Sequence, residues 1–125
     1  MISQSIHHQN SILGAALAGQ AARLDAIQNN IANVDTPRFT ARTVEFETAL
    51  SAAIDQWRTT GVLDLSRARP ATLHQNPGSR FRLDGNSVDM EREMVALYVH
   101  SIRYDVMVNS VMHNSRMLGV VLQGR

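Results

Sequence analysis

The 125-residue chain contains no cysteine. This excludes a disulfide framework, a thiolate zinc site and a cysteine nucleophile together. Lysine is absent as well: all 12 basic residues are arginine, set against 11 acids for a net charge of +1. So even a balance argues against a general nucleic-acid binder, which carries a clear basic excess. No apolar run approaches ~18 residues, so no segment is expected to span a membrane as a helix. The first residues, Met-Ile-Ser-Gln-Ser-Ile-His-His, offer neither a basic n-region nor an apolar h-region. A cleaved secretory signal is therefore not expected. The length suits one domain, or one subunit of something larger, with a single modest core.

What is present is helical patterning at both ends. Leu13, Leu17, Gln20, Leu24, Ile27, Ile31 and Val34 alternate steps of four and three, an a/d seam interrupted only by Gln20. Beside it, Ala15, Ala18, Ala22 and Ala26 recur with Gly14 and Gly19 nearby. Such a stripe either admits a close helix or reflects alanine propensity on an exposed face. Near the other end, Met90, Met94, Leu97, Ser101, Tyr104, Val108, Val111, Ser115, Leu118 and Leu122 repeat the alternation. A second apolar row accompanies them: Val95, Val99, Ile102, Val106, Met117 and Val120, broken at Asn109 and His113. A helix apolar on two faces is usually deeply buried, so either the middle segment, residues 43–57 among it, folds over this helix or neighbouring subunits do. The first seam makes about 33 Å of helix and the second about 50 Å, leaving ~15 Å of overhang whether they pair parallel or antiparallel.

The middle is less regular. Asn33 can end the first helix in a left-handed conformation, and Pro37 blocks its continuation. Phe46, Leu50, Ala53, Ile54 and Trp57 predict a short helix capped by Thr43 and stopped at Gly61. Residues 62–79 read as loop with short elements. Alternation of Arg80, Phe81, Arg82 and Leu83 suggests a short strand or extended arm. Asp84-Gly85-Asn86 is a turn, after which Ser87 or Asp89 caps the long helix. Residues 58–82 carry five arginines and one acid, a locally basic stretch between mildly acidic flanks. Arginine pairs bidentately with carboxylates, so Arg80 and Arg82 are candidate contacts for a partner protein.

Sites for chemistry are not evident. His100 and His113 stand about 220° apart on one helix, at ~3.6 residues per turn, so they cannot share a metal. His7 and His8 are adjacent near the terminus and diverge. Asp84, Asn86 and Asp89 miss calcium-loop spacing, with Val88 at the third ligand position. Glu45/Glu47 and Glu91/Glu93 sit at helix starts, where the helix dipole accounts for them. No cofactor, metal or catalytic residue is assigned.

Two motifs carry a resemblance. Asn29-Asn30-Ile31-Ala32-Asn33, followed by Thr36-Pro37, resembles the Asn-Asn-Ile-Ala-Asn…Thr-Pro signature of bacterial flagellar axial proteins. Leu83-Asp84-Gly85-Asn86-Ser87-Val88-Asp89 through Glu93-Met94 resembles the corresponding block of the proximal rod family, the FlgB type, and Tyr104 matches a tyrosine of its C-terminal helix. One departure stands out: Arg38 replaces the family's common glycine, so the turn after Pro37 is expected to take another form.

The resemblance implies an all-α axial subunit over 1–125. An N-terminal helix with the motif would occupy 1–40, an irregular middle with a short helix and a candidate β-arm 41–86, and a C-terminal helix 87–125. The terminal helices would pack as a coiled-coil-like pair through Leu13, Leu17, Leu24, Ile27, Ile31, Met94, Leu97, Tyr104, Val108, Val111, Leu118 and Leu122, which would also meet neighbours. It further implies a structural, non-enzymatic part of the proximal rod in the periplasm, exported unfolded by the flagellar type III apparatus without a cleaved signal. Partners would be copies of itself, other rod proteins, the adaptor FliE and the MS ring. In isolation its ends are expected to be largely disordered until assembly. The alternatives are the second proximal rod component, or a small Arg-dependent module binding nucleic acid or anionic lipid.

Overall fold

The computed structural model describes residues 2–74 and 82–124. In chain order these form α1 (Ile2–Ala32), β1 (Arg42–Glu45), α2 (Glu47–Thr60), β2 (Ala71–His74) and α3 (Met90–Gln123). Every other element packs on α1, directly or through β1.

Three faces of α1 explain this. The seam through Leu13, Leu17, Gln20, Leu24 and Ile27 lies against α3. The pairing is antiparallel: Gln20 meets His100, while Ile6 and Gln9 share a pocket with Met117, Leu118 and Val121. A second face, formed by Ile12, Ala15, Ala16, Ala22 and Ala26, receives Val44, Phe46, Leu50 and Ala53 from β1 and α2, with Ala68 closing the cluster. Small side chains here let bulky ones approach closely. At Gly19 the approach is closest, because a Cβ would stand 2.3 Å from the Phe46 ring. The third face faces solvent.

Arg23 ties the core to the helix. Its guanidinium lies 4.9 Å from the Phe46 ring centroid, donates to the Val44 carbonyl at 2.7 Å and pairs with Glu47. The hydrogen bond from Arg23, helped by the backbone amides of Glu47 and Phe46 and opposed by burial, holds the Glu47 carboxyl down to a pKa of about 2. β1 pairs antiparallel with β2, Thr43 opposite Leu73 and Val44 opposite Thr72. Its other edge is met by α1 side chains, since the Asn30 amide exchanges two hydrogen bonds with the Arg42 backbone, each 2.8 Å.

Several expectations need correction. α1 begins at Ile2, well before the seam at Leu13 from which the ~33 Å was reckoned, so His7 and His8 are helical, and His8 meets Trp57 edge-on at 5.3 Å. With 31 residues against 34, α1 leaves only about 5 Å of α3 unmatched, not ~15 Å. Thr43 does not cap α2, because it is committed to β1. The N-cap position is Phe46, without a side-chain cap bond, and Glu47 accepts from its amide. A strand at 71–74, in the stretch read as loop with short elements, pairs with β1. Arg82–Gly85 form a turn, and Arg80 and Phe81 lie outside the described residues. Gly61 and Asp89 do terminate α2 and open α3, the first in the left-handed conformation, the second accepting from the Arg92 amide.

Substitution separates close packing from helix propensity. Gly19→Ala is expected to destabilise by about 2 kcal/mol through overpacking against Phe46. Gly14→Ala, with nothing within 4 Å, is expected to be neutral or to stabilise by up to about 1 kcal/mol. Thermal melts of the two variants decide between these outcomes.

Candidate functional site: an interlocked corner and an uncovered helix face

An α-helix ends with carbonyls that lack intrahelical donors. After Ala32 the chain must also reverse towards β1. Asn33 serves this end through its side chain, with Nδ2 donating to the Asn29 carbonyl at 2.8 Å and Oδ1 accepting from Thr36 Oγ1 at 3.1 Å. It does not adopt the expected left-handed conformation, since the one described non-glycine residue with positive φ is Arg38, at 59°. The turn after Pro37 thus keeps the left-handed geometry that glycine would supply, contrary to the expectation of another form.

The second motif docks on the first. Asn86, fully buried, directs its amide NH2 at three carbonyls: Asn33 at 3.0 Å, Val34 at 3.0 Å and Thr36 at 2.8 Å. Its Oδ1 accepts from the Val88 amide at 2.7 Å, and Asp84 Oδ1 accepts from the Asn86 amide at 3.0 Å. Ser87 Oγ accepts from the Ala41 amide, and the Ser87 amide donates to the Phe39 carbonyl. Arg38 N–H donates to the Asp84 carbonyl. Arg82 donates to the Val34 carbonyl at 2.7 Å and pairs with Asp84 at 3.2 Å. Residues 29–42 and 82–88 therefore form one interlocked corner. Ile31 and Asn33 are half-buried, whereas Ala32, Thr36 and Pro37 are exposed. Asn29 Oδ1 is buried and finds no donor among the described residues.

Polar groups also interrupt the helix pair. Gln20 is 1% exposed, with Nε2 at 2.7 Å from His100 Nδ1 and 3.2 Å from the His100 carbonyl. Burial, then the charges of Arg23 and Arg103, push the His100 pKa down, which favours the neutral ring whose Nδ1 can accept from the Gln20 amide NH2. One heptad earlier, burial pushes the Glu93 carboxyl up, opposed by a hydrogen bond from Asn30. Sequence reading registered Gln20 only as a break in the seam. A buried amide of this kind in an apolar interface is a register device.

Along α3 the residues Met94, Leu97, Tyr104, Val108, Val111 and Leu118 are half-buried, as are Leu13, Leu17 and Leu24 on α1, while Ile27 is buried. Leu122 falls outside this pairing and is 82% exposed in the last turn. The second apolar row is uncovered: Val95 is 63% exposed, Ile102 64% and Val106 59%, with Val99, Met117 and Val120 exposed beside them. Among the described residues no group of three or more histidines and carboxylates is placed to hold a metal, and no helix is long and apolar enough to cross a membrane.

The first half of this corner, residues 29–40, lies within a segment that matches a known family. The model of the flagella basal body rod protein family matches residues 12–40. The flagellar basal body rod protein FlgB of Yersinia enterocolitica is 38% identical over 102 residues, covering 71% of this chain and 74% of that protein. The chain belongs to the FlgB family of flagellar basal body rod proteins. FlgB of Escherichia coli is 30% identical over 121 residues, covering 86% and 88%, and FlgB of Salmonella typhimurium 32% over 122 residues, covering 87% and 88%. As a FlgB-family chain it is a structural subunit of the basal body rod, associated there with other basal body components.

Two substitutions probe the corner in opposite directions. Asn86→Ala leaves three carbonyls without their donor and is expected to cost about 3 kcal/mol. Arg38→Gly relieves the left-handed residue and is expected to stabilise by about 1 kcal/mol. Urea unfolding of both variants beside the parent checks sign and size.

Proposed function

We propose that this FlgB-family chain is a subunit of the proximal rod, the part of the drive shaft that carries torque from the membrane-embedded ring to the distal rod and hook. Its role is mechanical rather than enzymatic. The observation that carries this reading is the uncovered row Val95–Val120 on α3. No described residue of a single copy covers it, and exposed apolar area of this extent marks a partner surface. Rows of interlocked apolar side chains, each contact small, are collectively stiff against shear, because packed interiors barely compress.

In this reading the seam residues hold the hairpin onto which neighbours pack. The motif Asn29, Asn30, Ile31, Ala32, Asn33, Thr36 and Pro37 serves assembly by fixing the corner. Arg80 and Arg82 are the proposed partner contacts. Arg82 already binds Val34 and Asp84, so it would act on a neighbour as part of the corner. The partners are further copies, other rod proteins, the adaptor FliE and the MS ring. The chain reaches the periplasm through the flagellar type III apparatus.

Charge on the uncovered row tests the reading. Cells carrying Ile102→Asp with Val106→Asp are expected to export the chain yet lose swimming in soft agar, with no rod in purified basal bodies. Arg58→Ala on the exposed side of α2 is expected to swim normally. Full motility of the double variant would overturn the proposal.

A further inference from the structure

The rod reading leaves open what covers the apolar row of α3, and the third face of α1 answers it. Within the span 7–32, Ser11, Gly14, Ala18 and Ala21 continue the four-three alternation on the side of α1 turned away from both α3 and α2, and all are exposed. We propose that the row Val95, Val99, Ile102 and Val106 docks on this strip of a second copy, so that copies add side by side through two different faces.

Four observations support the match. Both surfaces run about 25 residues, roughly 38 Å of helix, with His7, Asp25 and Gln28 exposed towards the ends of the α1 strip. The row presents branched side chains and the centre of the strip, Ser11 to Ala21, presents small ones, so the bulk of α3 fills the space that α1 leaves there, and the helix axes can close to ~8 Å. The solvent-facing part of the row comes to on the order of 500 Å², and nearer 800 Å² with Tyr98, Val121 and their polar surround, which is what one partner contributes to a stable interface. Axial levels agree too. Within one chain Gln20 stands opposite His100. A copy displaced sideways without axial shift therefore brings Ala18 and Ala21 to the level of Ile102 and Val99, again antiparallel.

The alternative occupant, a second α3 row facing the first, sets bulk against bulk and leaves the α1 strip bare. That contact also closes at two copies, whereas unlike faces leave an open-ended array. This proposal deepens the rod reading by naming partner and face, and its test separates the two.

Because the chain has no cysteine, Ala18→Cys and Ile102→Cys can be introduced singly and together. Basal bodies purified from cells expressing each variant are treated with a short bis-maleimide and blotted for the chain. The double variant is expected to give a ladder of dimers, trimers and higher species. Each single variant is expected to give no self-crosslink. The pair Ala21→Cys with Val99→Cys gives the same ladder if the first pair hinders assembly. Dimers from Ile102→Cys alone, or intact basal bodies containing the chain but no ladder from either pair, would overturn the docking while sparing the rod reading. Absence of the parent chain itself would defeat the rod reading and this inference with it.

Discussion

The buried Asn86 amide is the interaction on which the rest of the structure depends. Three carbonyls at the end of α1 converge on one side-chain NH2, and the same side chain sets the turn that leads into α3. A helix terminus that must be satisfied is thereby coupled to the start of another helix 50 residues later in the chain. The coupling fixes where α3 begins, hence its register on α1. Gln20 and His100 confirm that register from the middle of the pair. A slip by one heptad would bury both the Gln20 amide and the His100 ring against aliphatic side chains, at a cost of about 1–3 kcal/mol for each unsatisfied group.

With α1 held this way, its faces are fully allotted within the chain except for one. α3 takes the seam, and the Phe46 cluster takes the alanine face. Among the described elements α3 is covered mainly by α1, so one of its two apolar rows is left over. The surplus is a consequence of chain length: the nine buried apolar side chains among the described residues cannot wrap a helix of 34. A protein built so is unfinished as a monomer, which is the physical counterpart of membership in a rod-protein family.

Much of this was legible in the sequence. The long seams, the short helix stopped at Gly61 and the Asp89 cap follow from spacing and capping chemistry alone. The two motifs were visible as motifs, but not their embrace, because no local pattern says that the Asn86 amide faces the carbonyls of residues 33–36. The strand at 71–74 was missed because Ala-Thr-Leu-His has no alternating burial, and all four residues are exposed. It exists because β1 offers an edge, and β1 exists because Asn30 and Arg23 hold its other side. The seam does not extend back over Ile2 to Ile12 because polar residues there break it, while packing of Ile6, His8 and Ile12 supplies what periodicity lacks. Arg38 shows tertiary context overriding preference: the hydrogen bond of its amide to Asp84 holds a backbone conformation that arginine disfavours.

The central claim is that the corner, not the helix pair, is the anchor of the fold. Native-state hydrogen exchange on the purified chain measures this directly. The account predicts that the amides of Ala41, Arg42, Ser87 and Val88 exchange most slowly, together with the last turns of α1, and that protection along α3 declines towards Gln123. Rapid exchange at those four amides, with both long helices still protected, would contradict it.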